Sequence, residues 1–166
     1  GPVGSSRWWA GALFVLALLA GVFGPVAALL GLEPIKVLTT HDVQAPAVVA
    51  AGVGIVCAVL AQLEMGSSWR IGVREGEGTA LVTNGFFAVV RNPIFTAMAI
   101  TGAGLAFMVP NAISMLGFAL LLIALRLQVR VVEEPYLRAL HGDTYAAYEE
   151  SVGRFVPLVG RRSRRP

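Results

Sequence analysis

The chain consists of long apolar runs separated by short polar connections, a pattern typical of helices that cross a membrane. A bilayer core about 30 Å thick requires about 20 apolar residues in a helix. Four runs approach this length, at about residues 8–32, 45–63, 94–109 and 112–132. Pro25 lies inside the first run and predicts a kink or a break there. Only Val109, Pro110 and Asn111 separate the last two runs, so these helices are predicted to form an antiparallel hairpin.

The composition supports this interpretation. Of the 166 residues, 56% are hydrophobic and 14% are charged, whereas an average soluble domain carries roughly a quarter charged residues. So little polar material excludes an ordinary soluble globule, a disordered chain and a disulfide scaffold. The single cysteine, Cys57, lies in an apolar run and is interpreted as a packing residue. We therefore expect an integral membrane protein.

The arginines predict its orientation. They lie before the first span, between the second and third spans, and at or beyond the end of the fourth, whereas Lys36 is the only basic residue on the other side. Because basic residues favour the cytoplasmic side, both termini are predicted to be cytoplasmic. The preference for arginine over lysine, with abundant Ala, Gly and Val, is typical of a GC-rich bacterial genome. These observations predict a protein of the bacterial inner membrane.

The sequence predicts that the chain divides into three parts. Residues 1–6 resemble an expression scar left by protease cleavage, and residues 7–157 form a single membrane domain. The first apolar run is too long for the core of a signal peptide and is interpreted as a retained span. Residues 158–166 form a basic tail, which we expect to contact anionic lipid and not nucleic acid.

Two segments are too polar to cross the membrane. Residues 62–92 are rich in glycine and charge and are predicted to form a loop or a re-entrant segment at the interface. Residues 133–157 follow the last span. There Pro135 is expected to bend or restart the helix and Gly142 to break it. The two segments are predicted to lie on the cytoplasmic side.

The helix expected after Gly142 is amphipathic. Tyr145, Tyr148 and Val152 share one face, and Glu149 and Glu150 lie on another. We expect the helix to lie on the membrane or on the other cytoplasmic loop.

Four charged residues continue directly from the fourth apolar run, and two interpretations are open. Arg126 and Arg130 can reach the lipid headgroups while Glu133 and Glu134 mark the exit into water. Alternatively, they line a polar pocket in which a carboxylate holds ribose hydroxyls or a cation and an arginine holds an anionic substrate. Arg130 and Glu134 are four residues apart and are predicted to share a helix face.

Arg91, Asn92 and Pro93 open the third span and also permit two interpretations. In the first interpretation, the arginine lies at the membrane interface and the proline occupies the first helical turn. In the other, Pro93 fixes the helix entrance so that Asn92 and nearby backbone groups face a ligand.

The order of these motifs resembles a known family. Residues 81–95 open the helical hairpin, residues 133–135 (Glu-Glu-Pro) close it, and residues 137–148 and 154–157 (Arg-Phe-Val-Pro) follow. This order is similar to the integral membrane methyltransferases of the isoprenylcysteine carboxyl methyltransferase and phospholipid methyltransferase group. The resemblance covers about residues 62–157 and does not include the first helix.

The resemblance implies a fold and a cofactor. The expected fold is an all-α, integral membrane four-helix bundle whose cytoplasmic loop and C-terminal amphipathic helix form the site for S-adenosylmethionine, with S-adenosylhomocysteine as product. By matching position, the cofactor-binding residues would be Thr79, Ala80, Leu81, Val82, Phe87, Arg91, Asn92, Pro93, Phe95, Glu133 and Glu134.

The resemblance also implies roles for the charged residues. Arg130 matches the family's substrate-contacting arginine, with Arg126 as the alternative, and Arg130 and Glu134 would be the catalytic residues. Asn92 stands where eukaryotic members often have His, and Phe95 where they often have Tyr. Both differences argue against a mechanism that needs a base at these positions.

Three functions are compatible with the sequence. The first is methyl transfer to a lipophilic acceptor, an isoprenoid or fatty carboxylate or a thiol, at the cytoplasmic membrane face. The second is N-methylation of a phospholipid amine. The third is a small non-enzymatic membrane scaffold or a transporter, although a proton-coupled transporter would be expected to hold an acidic residue at mid-membrane. The sequence predicts no metal site and leaves the oligomeric state open.

Overall fold

A computed structural model describes residues 4–66 and 80–162, and this part of the chain is helical. The apolar helices are α1 (Ser6–Leu29), α2 (His41–Met65), α3 (Pro93–Met108) and α4 (Ala112–Gln128). A π-helical turn, Val129–Glu133, joins α4 to α5 (Glu134–Ser151). Short 3-10 turns lie at Lys36–Leu38 and Gly85–Ala88. The predicted all-α fold with four apolar helices is confirmed.

Two of the helices differ from their prediction. The helix α1 continues through Pro25 to Leu29, so of the kink or break predicted at this proline, the break is absent. The helix α2 begins at His41, earlier than the apolar run, and Asp42 lies in its first turn. An acidic side chain there interacts favourably with the helix dipole, which is why a polar start is compatible with the helix.

The apolar helices have the dimensions and surface of membrane helices. Within the described residues, α1, α2 and the continuous helix Ala112–Ser151 are long and apolar enough to cross a membrane, and α3 is a shorter apolar helix. Large apolar side chains cover the outer surfaces, including Val22 at 64% and Val49 at 63% exposure. Exposure of such an apolar surface to water is unfavourable, whereas contact with lipid chains is not. These helices indicate an integral membrane protein.

The helices pack in the order α2, α3, α4, α1, with α2 against α3 and α1 against α4. Small residues permit the close approach. A Cβ on Gly104 of α3 would lie 2.4 Å from the backbone nitrogen of Ala51 in α2, and a Cβ on Gly117 of α4 would lie 2.7 Å from the Cβ of Ala20 in α1. Helices in lipid associate through such small-residue contacts because apolar burial gives little advantage there.

The connections between helices lie at two ends of the bundle. At one end, the backbone N–H of Ile35 donates to the carbonyl of Pro110 at 2.7 Å, which ties the α1–α2 connection to the α3–α4 turn. The Asn111 side chain caps α4 by accepting from the Ser114 N–H and also donates to the Gly24 carbonyl. The predicted antiparallel hairpin is therefore confirmed, and α5 lies at the other end.

Candidate functional site

The π-helical turn determines which residues point into the site. The N–H of Glu134 bonds to the carbonyl of Val129, five residues earlier. Val129 and Glu134 are both buried, at 0% and 2% exposure, whereas Arg130 is exposed. The prediction that Arg130 and Glu134 share a face is wrong, because Glu134 is buried with Val129 whereas Arg130 is exposed to the outside of the helix.

The Glu134 carboxylate is surrounded by arginines. Oε1 accepts from Nη1 of Arg91 at 3.0 Å, and Oε2 accepts from Nη2 of Arg138 at 3.2 Å. Arg154 binds both oxygens, with Nε at 2.6 Å from Oε1 and Nη2 at 3.1 Å from Oε2. A buried carboxylate is tolerated only when its charge is compensated in this way.

A second buried carboxylate, Glu149 in the second half of α5, has a similar environment. Arg138 binds it through both Nε and Nη2, at 2.9 and 2.6 Å, and Arg91 donates from Nη1 at 2.9 Å. Arg162 lies 3.5 Å away. Burial alone raises the pKa of Glu149, but the hydrogen bond from Arg138 and the charges of Arg138, Arg91 and Arg162 outweigh it and lower the pKa below its ordinary value.

These side chains form one group, which we call the ionic cluster. Its members are Arg91, Glu134, Arg138, Glu149, Arg154 and Arg162. Four arginines and two glutamates give it a formal charge of +2. The cluster joins the entrance of α3 to both halves of α5 and to the C-terminal segment.

Arg91 is the member that holds the C-terminal segment, residues 152–162. Its Nε donates to the carbonyl of Val152 at 3.1 Å and its Nη2 donates to the carbonyl of Gly160 at 2.9 Å. Its backbone N–H bonds to the carbonyl of Gly153 at 2.8 Å. Arg162, assigned from sequence to the basic tail, bonds through its backbone N–H to the Glu149 carbonyl. The first residues of that tail therefore contact the cluster.

The second half of α5 packs on the segment that leads into α3. Gly142 has a φ of +50° and separates the two halves, so the predicted break is confirmed. The Tyr148 hydroxyl donates to the carbonyl of Phe87. This contact joins the amphipathic helix to the end of the other loop, one of its two expected positions. The prediction that Glu149 lies on a different face from Tyr145 is wrong, because Glu149 follows the buried Tyr145 by four residues and is buried with it.

The other predicted cofactor residues lie in one stretch before and at the start of α3. Thr79 lies outside the described residues. Phe87 and Pro93 are buried and Ala80 is exposed, while the half-buried members are Leu81, Val82, Asn92 and Phe95. The structure brings Asn92 to the C-terminal segment, because its backbone N–H and its Nδ2 both donate to the carbonyl of Arg154 at 3.1 Å.

Glu133 and Arg130 lie apart from the ionic cluster. Glu133 is half-buried, and its polar partner among the described residues is Gln128, whose Nε2 is 3.4 Å from Oε1. Arg130 is exposed and forms no ion pair with any described residue. Of the predicted charged residues, the structure brings together only Arg91 and Glu134.

Arg126 lies beside an open, mostly apolar groove of about 490 Å³ between α4 and the C-terminal segment. The described residues that line it are Leu122, Ile123, Arg126, Arg154, Phe155, Val156, Val159 and Gly160. Arg154 thus borders the groove and also binds Glu134. Arg130 does not line it.

Four members of the cluster were not predicted as site residues on sequence grounds: Arg138, Glu149, Arg154 and Arg162. Arg138 could have been found, because it lies four residues after Glu134 and can pair with it on one helix face. Arg154 and Arg162 carry no comparable signal, since they meet the cluster through the return of the chain after α5.

Comparisons with known proteins place these motifs in context. Residues 43–144 match the family described as phospholipid methyltransferase. The protein-S-isoprenylcysteine O-methyltransferase of Schizosaccharomyces pombe is 31% identical over 101 residues, which cover 60% of this chain and 43% of that protein. The corresponding enzymes B and A of Arabidopsis thaliana are each 32% identical, covering 54% of this chain and 45% of theirs. The chain spans less than half the length of these curated relatives. No solved structure matches the chain at a significant level.

Proposed function

This chain belongs to the phospholipid methyltransferase family, and we propose that it transfers a methyl group from S-adenosylmethionine to a lipophilic acceptor at the cytoplasmic face of a membrane. The observation that carries the proposal is the position of Arg154. This residue lines an apolar groove on one side and binds the buried Glu134 on the other. A polar cluster is thereby held next to a surface suited to a hydrocarbon chain.

The chemistry of the adjacent glutamates at the end of the π turn is compatible with the cofactor. When bound, S-adenosylmethionine supplies an electrophilic methyl group on a sulfonium. Glu133 is half-buried and bonded to Gln128 alone among the described residues, which leaves a carboxylate oxygen available for a ribose hydroxyl. Glu134 is occupied by three arginines, so we assign it to holding the C-terminal segment and not to direct cofactor contact.

The reaction requires little acid or base chemistry. A lone pair on the acceptor forms a bond to the methyl carbon while the carbon–sulfur bond breaks, and its electron pair stays on sulfur to give S-adenosylhomocysteine. A carboxylate acceptor is already ionised and releases no proton. The contribution of the protein is to position the two reactants and to exclude water.

The arginine distribution supports a cytoplasmic site. The connection containing Lys36 lies at the same end as the α3–α4 turn, through the bond between Ile35 and Pro110. The ionic cluster lies at the other end, where most of the described arginines are found, and basic residues favour the cytoplasm. We place both termini there, in a bacterial inner membrane.

Methylation of a phospholipid amine is the second candidate, because the matching family is described by that class of substrate. The names of the curated relatives instead describe O-methyl transfer. An amine acceptor must reach the site unprotonated, which distinguishes it chemically from a carboxylate.

The test uses the full chain in nanodiscs. Isothermal titration should detect binding of S-adenosylmethionine, and methyl-labelled cofactor should label an added fatty carboxylate, fatty thiol or phosphatidylethanolamine. A methyl ester is lost in base, whereas thioethers and methylamines persist, so base treatment identifies the acceptor class. Absence of both cofactor binding and labelled lipid would overturn the proposal and favour a scaffold.

A further inference from the structure

We propose that Glu64, in the last turn of α2, is a positioning residue that holds the segment leading into α3, residues 80–92, in place for the cofactor. Glu64 and Phe86 are 22 residues apart in the chain, and Oε2 of Glu64 accepts from the backbone N–H of Phe86 at 2.8 Å. The proposal rests on the proposed function in one respect, because it makes cofactor binding depend on this segment. The contact itself is formed without a cofactor.

The Glu64 carboxylate takes the place of a local helix cap. The turn Gly85–Ala88 begins after Asn84, whose side chain forms no capping hydrogen bond. Backbone N–H groups at the start of a helical turn have no partner within the turn and require other acceptors. Glu64 supplies one of them from a different helix. The turn is thereby attached to α2 by a contact between distant parts of the chain.

Gly85 makes room for this carboxylate. Its φ is +55°, a backbone conformation that glycine adopts without strain. A Cβ at this position would lie 2.5 Å from Oε2 of Glu64 and still closer to Oε1. Both oxygens therefore occupy space that any other side chain at position 85 would fill. Gly85 permits the turn of the backbone and the close approach of the carboxylate at the same time.

The helix α2 packs on α3 independently of Glu64. The two helices approach closely at Gly54, where a Cβ would lie 2.7 Å from the backbone nitrogen of Thr101. Glu64 is exposed, and it lies at the end of α2, where the helix dipole disfavours a carboxylate. Its contribution to the stability of α2 is therefore small or unfavourable. The role that remains for this side chain is to hold the turn that it binds.

The same segment is held from its other side by α5 and the C-terminal segment. The carbonyl of Phe87 accepts from the Tyr148 hydroxyl, one residue after the N–H that Glu64 binds. The backbone N–H of Arg91 donates to the carbonyl of Gly153 at 2.8 Å. Phe87 and Arg91 are both expected cofactor residues. Loss of Glu64 should release them from the α2 side alone and leave the rest of the fold in place.

The first test measures S-adenosylmethionine binding to the full chain in nanodiscs by isothermal titration. Glu64→Ala should weaken binding about threefold to tenfold, because an exposed hydrogen bond is lost at some distance from the ligand. Glu64→Gln keeps an acceptor oxygen at the same reach and should restore most of the affinity. Glu64→Asp keeps the charge but withdraws it by one methylene, and it should not restore the affinity.

Glu33→Ala is the matched control, because Glu33 is an exposed carboxylate in the α1–α2 connection at the opposite end of the bundle. Its affinity for the cofactor should equal that of the wild type. Wild-type affinity in Glu64→Ala would overturn the proposal. So would recovery in Glu64→Asp but not in Glu64→Gln, since this would show that charge alone matters.

Gly85 provides an independent test of the contact. Gly85→Ala should displace the Glu64 carboxylate and also strain the backbone at its positive φ. In the Glu64→Ala background only the backbone strain remains. The loss of cofactor affinity caused by Gly85→Ala should therefore be smaller in that background than in the wild type. Equal losses in the two backgrounds would contradict the contact.

Hydrogen exchange distinguishes this proposal from the proposed function. Without cofactor, Glu64→Ala should accelerate amide exchange in residues 85–90 about threefold to tenfold and leave residues 97–108 of α3 unchanged. Unchanged exchange in residues 85–90 would overturn the proposal. If the wild type binds no S-adenosylmethionine while Glu64→Ala still accelerates this exchange, the proposed function fails and the role of Glu64 in holding the segment is supported.

Discussion

Arg91 and Glu149 lie 58 residues apart in the chain and form an ion pair of 2.9 Å in which each side chain is only 1% exposed. The pair fixes the second half of α5 against the entrance of α3. Removing one member of a buried ion pair leaves the other charge without compensation, and this is more costly than the pair itself is stabilising. The contact therefore makes the position of α5 sensitive to single substitutions.

Arg91→Gln should destabilise the fold strongly. It removes a charge shared by Glu134 and Glu149 and weakens the hold on the Val152 and Gly160 carbonyls. We expect a loss of about 3–5 kcal/mol, measured by chemical unfolding in detergent. Arg130→Gln should change stability by less than about 0.5 kcal/mol, because Arg130 is exposed. Equal stability of the two variants would show that the cluster does not hold the fold.

Acid should release the second half of α5 through Glu149. Its folded-state pKa lies below the ordinary value of 4.5, so its contribution to stability is present above that value and is lost as the pH falls through the folded-state pKa. Unfolding midpoints should be measured from pH 7 to pH 3. Glu149→Gln should be less stable at pH 7 and should lose less stability over this interval. Parallel curves for the two proteins would contradict this role.

The two adjacent glutamates should behave differently. Glu133→Gln should weaken S-adenosylmethionine binding about tenfold with little change in stability, the size expected of one charge-assisted hydrogen bond. Glu134→Gln should lower stability by about 3–5 kcal/mol, because three arginines lose their shared carboxylate. Calorimetric titration and unfolding of both variants provide the measurements. A large loss of affinity only in Glu134→Gln, with stability intact, would reverse the assignment.

The α2–α3 contact should depend on Gly104. A Cβ there would lie 2.4 Å from the nitrogen of Ala51 and 2.6 Å from the carbonyl of Ala47, both backbone atoms. Gly104→Ala should therefore force the helices apart at a cost of about 1–3 kcal/mol. Gly52→Ala is the control, since a Cβ at that position meets no atom within 4 Å. Thermal unfolding in detergent compares them, and similar melting temperatures would argue against close packing.

Local signals explain what the sequence predicted correctly. Three features act within a few residues of the chain: the apolar runs, the short turn before Asn111 and the proline at the start of α3. The local backbone structure that they determine therefore depends little on the rest of the fold. The break at Gly142 is also a local effect, because glycine adopts a positive φ without steric strain.

The composition of the ionic cluster could not be predicted in the same way. Arginine and glutamate are usually exposed, and nothing in the local pattern distinguishes Arg91 or Glu149 from solvated residues. Their burial depends on partners contributed by α3, α5 and the C-terminal segment together. Arg130 was assigned to the site by the family resemblance, and the face that it was predicted to share with Glu134 assumed an unbroken α-helix, which the π turn interrupts.

The turn at Val129–Glu133 also makes the length of the chain at this point as important as its composition. Successive residues of an α-helix are offset by about 100° around the axis. A π turn holds one residue more than an α-helix within about the same rotation, so deleting a single residue such as Val131 would restore a regular helix and leave later side chains near their present angle. Inserting one further residue would rotate every later side chain by about 100°, and both carboxylates of α5 would then turn away from Arg91 although no charged residue had been altered. A one-codon insertion in this turn should therefore be more damaging than a one-codon deletion.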